Sequence, residues 1–288
     1  MNATSVDEAF NPSVHVYEPH KAGLPPLRPY FKALWERRVF AAEMSRTGIR
    51  AANTNTFFGQ IWLVINPLLL AGVYYLLTDI IAGGAARQDS GAIFAHMCGG
   101  LFAFYYFQGA VTTGAGSVVG GGKLLMNMAF PRMLLPLSAL RTAFFRFLPT
   151  MGVYAAIHLL TRQPLHWVML LAPVFLILLT MFAAGMSMIF AAVQVYFRDT
   201  SSFLPYFMRI WLYLSPVLWF AEKAPAKFQD FIQYNPLYSL LGGWTDLLVR
   251  AKMPDAELWI GGVAWAVAAL LVGSLFFMSR EREFAVRL

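Results

Sequence analysis

At 288 residues, 58% hydrophobic and 13% charged, with a mean hydropathy of +0.56, the chain is not a soluble globular protein, in which about 25% of residues are charged. One membrane domain takes up its length. The net charge of +7 and pI near 9.6 do not point to nucleic acid, because the cations sit beside apolar segments, where anionic headgroups and chain orientation account for them.

Met1–Pro29 is polar and carries prolines at 12, 19, 25, 26 and 29. It reads as a disordered cytoplasmic tail. The first sixty residues hold no apolar stretch with a cleavage site, so no signal peptide is expected. His15 and His20 lie in this tail, too loosely placed for a metal site. From Tyr30 to Arg50 the pattern changes. Phe31, Leu34, Trp35, Val39 and Ala42 share one helical face, Lys32, Glu36 and Glu43 another, with Arg37, Arg38, Arg46 and Arg50 around the rim. This spacing predicts an amphipathic helix within 30–55, lying in the cytoplasmic interface with its tryptophan at headgroup depth.

Residues 56–280 read as an all-α domain of six transmembrane helices. Ile61–Ala82 is the first, kinked at Asn66-Pro67. A polar turn at Gly83–Gly91 leads to the second, Ile93–Thr113. The loop Val118–Pro136 follows, VVGGGKLLMNMAFPRMLLP. Three glycines and Lys123 precede a short helix over Leu124–Ala129, and Phe130-Pro131-Arg132 stops it, because proline disfavours the α conformation in the residue before it. The loop is either a plain basic connection obeying the positive-inside rule or a short helix on which another protein pushes. Gly122-Lys123 looks like part of a phosphate-binding loop. That loop needs glycine where Ser117 stands and a hydroxyl where Leu124 stands, so no nucleotide site is expected here.

Met133–Leu160 is the third span, with Arg141 and Arg146 in its inner half. The fourth, Trp167–Phe197, has 31 residues without a charge. At helical rise it reaches roughly 46 Å against a hydrocarbon core of about 30 Å, so it tilts or continues into the cytoplasm. The fifth, Phe203–Ala221, is broken near its far end by Ser215-Pro216. Outside lies 224–250, where Phe228–Tyr234 and Leu237–Val249 are apolar but too short to cross. Asn235-Pro236 between them predicts a re-entrant helical hairpin. Leu258–Ser279 is the last span, and 281–288 is a basic cytoplasmic tail. Both termini fall inside, together with 16 of the 22 cations.

The single cysteine, Cys98, permits no internal disulfide. No paired carboxylates suit a metal-dependent glycosyltransferase, no zinc motif occurs, and His96 and His158 stand alone. Acidic residues are confined to span ends (Asp79, Asp199) and the outer hairpin (Asp246), whereas proton- or sodium-driven carriers keep them inside the membrane. Neither a catalytic, a metal nor an ion-coupling site is expected, so uphill movement must draw its energy from another subunit. Aromatic residues are abundant, among them Tyr74, Tyr75, Phe102, Phe104, Tyr105, Tyr106 and Trp219. They either pack helices and form an interfacial belt, or line a channel where their faces stack on sugar rings. Arg146 lies about 15 Å deeper than Pro136 at helical rise, so it faces protein or a water-filled cavity. A diphosphate headgroup arriving from the cytoplasm is a fitting partner, with Arg141 and Arg209 as further candidates. A backbone carbonyl or a tyrosine is the structural alternative.

Taken in order, these features resemble a known family. They are the basic helix before an Asn-Pro-kinked span, Lys123…Asn127…Phe130-Pro131-Arg132…Leu135-Pro136, Phe197-Arg198-Asp199, Ser215-Pro216-Val217 and Asn235-Pro236-Leu237. From about Tyr30 to the C-terminus the chain resembles the membrane subunit of ATP-binding-cassette exporters for O-antigen, capsule and teichoic-acid polysaccharides. The long tail before Tyr30 points to the actinobacterial branch, which exports a galactan precursor. The resemblance implies a homodimer around a central channel in the plasma membrane. It also implies two copies of a separate nucleotide-binding subunit that binds ATP and Mg, with no cofactor in this chain. Lys123, Asn127, Phe130, Pro131 and Arg132, with Trp35, Arg37 and Arg38, would contact that partner. The 224–250 hairpin would help form the outer gate, and aromatics of the first, second and fifth spans would line the path. The cargo would be a polyprenyl-diphosphate-linked glycan. The rivals are a small-lipid or drug exporter of the same superfamily and a membrane glycosyltransferase.

Overall fold

The computed structural model describes residues 24–51, 58–81, 90–128, 130–219 and 231–288. They are helical throughout, with no strand among the described residues. Two helices, α1 (Leu27–Glu36) and α2 (Arg38–Ala51), open the described chain. The long elements follow: α3 (Trp62–Ile81), α4 (Ser90–Gly120), α6 (Leu134–Leu160), α7 (Ala172–Tyr196) and α10 (Ala256–Arg280). Shorter helices lie between and after them: α5 (Gly122–Asn127), α8 (Thr200–Leu214), α9 (Pro236–Leu248) and α11 (Phe284–Arg287). Among the described residues, three helices are long and apolar enough to cross a membrane: Leu134–Leu160, Trp167–Tyr196 and Ala256–Glu283.

The core sits around α4, which lies between α6 and α7. Its 31 residues carry no charge, and Leu101, Phe104, Phe107 and Val111 are fully buried. The seam between α7 and α10 is made by glycine. A Cβ on Gly185 would lie 2.1 Å from the Ala269 carbonyl oxygen, and one on Gly273 would lie 2.3 Å from the Gly185 oxygen. Close backbone approach of this kind stands in for the hydrophobic drive that two helices lack in lipid. Gly185→Ala is therefore expected to cost about 3 kcal/mol, the upper end of overpacking, although alanine is the better helix former. Gly72→Ala, placed in α3 where nothing lies within 4 Å, is expected to cost nothing. Thermal unfolding in detergent checks the pair.

Several expected boundaries move. The single interface helix over Tyr30–Arg50 is two helices with a joint at Arg37 (φ −95°, ψ 15°). Its apolar row Phe31, Trp35 and Val39 faces outward, with Trp35 67% exposed, while Tyr30, Ala41 and Ser45 are buried on the body. The second long helix starts earlier and ends later than Ile93–Thr113, because neither a charge nor a proline interrupts it before the glycine run. Those glycines are not a left-handed hinge. Gly121 has φ −87° and ψ 6°. Its lack of a side chain makes room for Leu135, whose Cδ1 would lie 3.2 Å from a Cβ there. The short helix is Gly122–Asn127, two residues ahead of the expected Leu124–Ala129. The fifth long helix, expected over Phe203–Ala221, ends at Leu214. Pro216 holds Ser215 at ψ 145°, outside the helical region. Residues 228–230 of the expected arm Phe228–Tyr234 lie outside the described residues, as do the 1–23 part of the tail and most of Gly83–Gly91.

Asn235 fastens α8 to α9. Its Oδ1 accepts from the Leu237 amide at 3.1 Å and from Trp211 Nε1 at 2.9 Å. Its Nδ2 donates to the Leu214 carbonyl and the Ser215 hydroxyl, both at 3.1 Å. Asn235→Ala removes a helix cap and strands the Trp211 indole N–H. A loss of about 3 kcal/mol is expected from a cap and one unsatisfied group together, read from the unfolding midpoint.

Candidate functional site

Two places gather the residues singled out by the sequence. The first is a cavity of about 370 Å³ between α3, α4 and α6. Helical period selects its lining. Thr142, Arg146 and Thr150 recur every fourth residue on α6, and Phe102, Tyr105, Tyr106, Gly109 and Thr113 share one face of α4. Trp62, Asn66 and Pro67 close it from α3. Arg146 brings the cation, and its Nε is buried without a hydrogen-bond partner. A guanidinium nitrogen left so is expensive unless something supplies an acceptor.

The other two arginines are elsewhere. Arg141 donates from Nη1 to the Ala42 carbonyl at 2.9 Å and stacks on Phe145 at 4.9 Å. With the Thr142–Ser45 hydroxyl contact at 3.1 Å, it holds α2 to α6. Arg209 is exposed on α8. It lies near enough to Tyr105 to act on its hydroxyl electrostatically, as does Tyr213. The Tyr74 and Tyr213 rings are 6.2 Å apart. Tyr74, Tyr105, Tyr213 and Arg209 thus form a second group, on α3, α4 and α8. Tyr213 belongs to the aromatic set read from the sequence, and it stands four residues after Arg209 and so shares its helical face. Trp62 and Thr142 carried no sequence signal, and Asn66 was read only as part of the Asn66-Pro67 kink.

The remaining aromatics divide. Phe104 is fully buried with its ring near Phe107, which stacks on Phe182 of α7. Phe102 and Tyr106 are buried yet line the cavity, and the Tyr106 hydroxyl meets Thr180 Oγ1 at 2.8 Å. The Tyr75 ring lies 5.9 Å from Phe94. Trp219 donates to the Tyr213 carbonyl at 3.1 Å.

The second place is at the other end of α6, where α1, α5, the 130–133 turn and the residues after α10 meet. The Phe130 ring lies 5.2 Å from Phe40 of α2. The Tyr30 hydroxyl donates to Glu281 Oε2 at 2.5 Å, across 251 residues of sequence. Arg132 sits in the field of that carboxylate, with Nη1 buried and without a hydrogen-bond partner. Burial dominates all three groups. It raises the Tyr30 hydroxyl and the Glu281 carboxyl above their ordinary ranges and lowers Arg132. Arg38 stacks on Trp35 at 4.8 Å and donates to its carbonyl at 3.0 Å. Arg37 marks the joint between α1 and α2. The side chains of Lys123 and Asn127 lie outside the described part, and only their place on α5 is given.

Among the described residues no cluster of three or more His, Cys, Asp or Glu could hold a metal ion.

No family model matches the chain. Among curated proteins, it is 28% identical over 201 residues to the O-antigen export system permease protein RfbA of Klebsiella pneumoniae, covering 69% of this chain and 76% of that one. It is 26% identical over 260 residues to the protein of the same name from Myxococcus xanthus, covering 88% of this chain and 97% of that one. By similarity over most of its length, this membrane protein is a relative of the O-antigen export permeases.

Proposed function

We propose that the chain is the transmembrane subunit of an ATP-driven exporter, and that its cargo is a polyprenyl-diphosphate-linked polysaccharide of the O-antigen, teichoic-acid or galactan class. Six spans place both ends in the cytoplasm, with 224–250 as an outer hairpin. The subunit works as a homodimer, because one protomer's cavity of about 370 Å³ holds a headgroup but not a polymer. ATP is hydrolysed by a separate subunit beneath α5, and this chain only relays the push.

In the molecule, one observation carries the substrate reading. Arg146 presents a buried nitrogen lacking an acceptor to a cavity lined with tyrosine, threonine and asparagine. A diphosphate supplies acceptor oxygens to guanidinium, hydroxyl and amide donors at once, and charge-assisted bonds of that type are the strong ones. Tyr74, Tyr105 and Tyr213 offer ring faces and hydroxyls for the sugars that follow. The similarity to export permeases supports the same class of cargo.

A small-lipid exporter is the second reading, favoured by the same cavity, whose size suits a single headgroup. One experiment separates the two. The chain is purified with the ATPase that copurifies with it, and ATP hydrolysis is followed on adding a lipid-linked glycan or the same lipid diphosphate without sugar. The polysaccharide reading expects stimulation by the glycan well above that of the bare lipid. Equal stimulation supports the small-lipid reading, and no copurifying ATPase removes both.

A further inference from the structure

The last eight residues, expected as a basic cytoplasmic tail, are built onto the body at the end of α10. Glu281–Glu283 form a 3-10 turn and Phe284–Arg287 a short helix. Phe284 is fully buried, its ring 5.2 Å from Phe277 of α10. Glu281 takes the Tyr30 hydroxyl. Glu283 takes the Tyr196 hydroxyl at 2.6 Å, and Arg287 lies over the Tyr196 ring at 4.4 Å. The segment packs on both α5 and α7. A Cβ on Gly122 would lie 4.0 Å from that of Leu288.

These contacts join the segment to α1, α5, α7 and α10. Arg280 and Arg287 approach Glu283 at 3.5 and 3.6 Å, but exposed pairs of this kind hold little by themselves. The fully buried Phe284 and the half-buried Glu281 are the anchors that fix position. From here α10 runs 25 residues to the opposite end, where it packs against α9. Leu258 lies 3.5 Å from where a Cβ on Gly242 would be.

We propose that residues 281–288 and α5 form one rigid joint, which carries a displacement of α5 into α10 and along it to α9, with Glu281 as the positioning residue that ties α1 and the 130–133 turn to that joint. The inference rests on the proposed function, in which a separate ATPase pushes α5. It adds a route by which the push reaches the far end. Glu281 acts through geometry and charge: it orders Tyr30 by hydrogen bond and faces Arg132. Glutamine keeps an oxygen for Tyr30 but no charge for Arg132. Burial disfavours the Glu281 carboxylate, while its charge offsets the desolvation of Arg132; the two effects oppose, so Glu281→Gln is expected to change the unfolding midpoint little.

The test uses the complete complex with its ATPase in proteoliposomes, in a Cys98→Ala background, since Cys98 is the single cysteine. Gly122→Cys and Leu288→Cys place two thiols at a separation that a disulfide spans, about 3.5–4.5 Å between Cβ atoms. Mild oxidation is expected to protect both from maleimide-polyethylene glycol, read as loss of the gel shift. The cross-linked complex is expected to export within about twofold of the reduced one, because the joined parts move together. Glu281→Gln, and separately removal of 281–288, is expected to lower glycan exported per ATP by about tenfold while hydrolysis continues, within the usual range of coupling between sites.

Thiols that stay reactive after oxidation contradict the joint, and so does a cross-link that forms and stops export. Wild-type export per ATP in Glu281→Gln removes that residue's role, as does an equal fall in stability and export. A Cys98→Ala parent with no ATP-driven export, seen while the cross-link still forms, overturns the proposed function itself and with it the route.

Discussion

Arg132→Ala leaves ATP hydrolysis running and abolishes most export. This is the expected result in the reconstituted complex, and its size follows from where Arg132 stands. Its guanidinium is half-buried at the end of the 130–133 turn, facing the Glu281 carboxylate, and desolvation lowers its pKa. Alanine removes the cation and leaves the half-buried Glu281 with the Tyr30 hydroxyl and the field of Arg282. The turn that ends α5 then loses its tie to α1 and α10. Coupling between sites is typically worth about 1–3 kcal/mol, so export per ATP is expected to fall about 5- to 150-fold. Replacing the Phe130-Pro131 pair by alanines acts at the same place, through the lost ring contact with Phe40 and the lost helix stop. Normal export by these variants would contradict the assignment of α5 as the lever.

Arg146→Ala is expected to weaken stimulation of ATP hydrolysis by the lipid-linked substrate while the protein stays folded. One charge-assisted hydrogen bond contributes about 1.5–3 kcal/mol, so the half-saturating substrate concentration rises roughly 10- to 100-fold. The stability readout separates this role from a structural one. Arg146 Nε has no hydrogen-bond partner, so alanine strands nothing, and the unfolding midpoint is expected to hold or rise. Arg141→Ala is the contrast. It strands the Ala42 carbonyl and loosens α2 from α6, so it lowers the midpoint. A fall in stability with unchanged stimulation in Arg146→Ala would make that arginine structural.

What the sequence made legible follows from how local each signal is. The long helices were readable because their apolar runs carry few charges: α6, with only Arg141 and Arg146, and α10 lie within two residues of the expected Met133–Leu160 and Leu258–Ser279. Ser215-Pro216 was readable as a break, since proline acts on its immediate neighbour. The length of α4 was not, because glycine runs neither force nor forbid a helix. Long-range pairings left no local trace. Arg141 with Ala42 spans 99 residues, and Tyr30 with Glu281 spans 251. The depth of Arg146 was available from helical rise, yet the walls of its cavity come from three helices and needed the tertiary arrangement. Phe102 and Phe104 looked equivalent in sequence. Two residues apart on a helix is about 200° of rotation, and that turn puts Phe102 on the cavity and Phe104 in the core.

The central claim is that this chain is a passive conduit, driven from its inner end by another subunit. Export of lipid-linked glycan into proteoliposomes measures it most directly, with ATP supplied to the purified chain alone or to the chain with its copurified ATPase. The account predicts no export and no hydrolysis by the chain alone, and ATP-dependent export once the partner is present. Glycan export or ATP cleavage by the chain without any companion would contradict it.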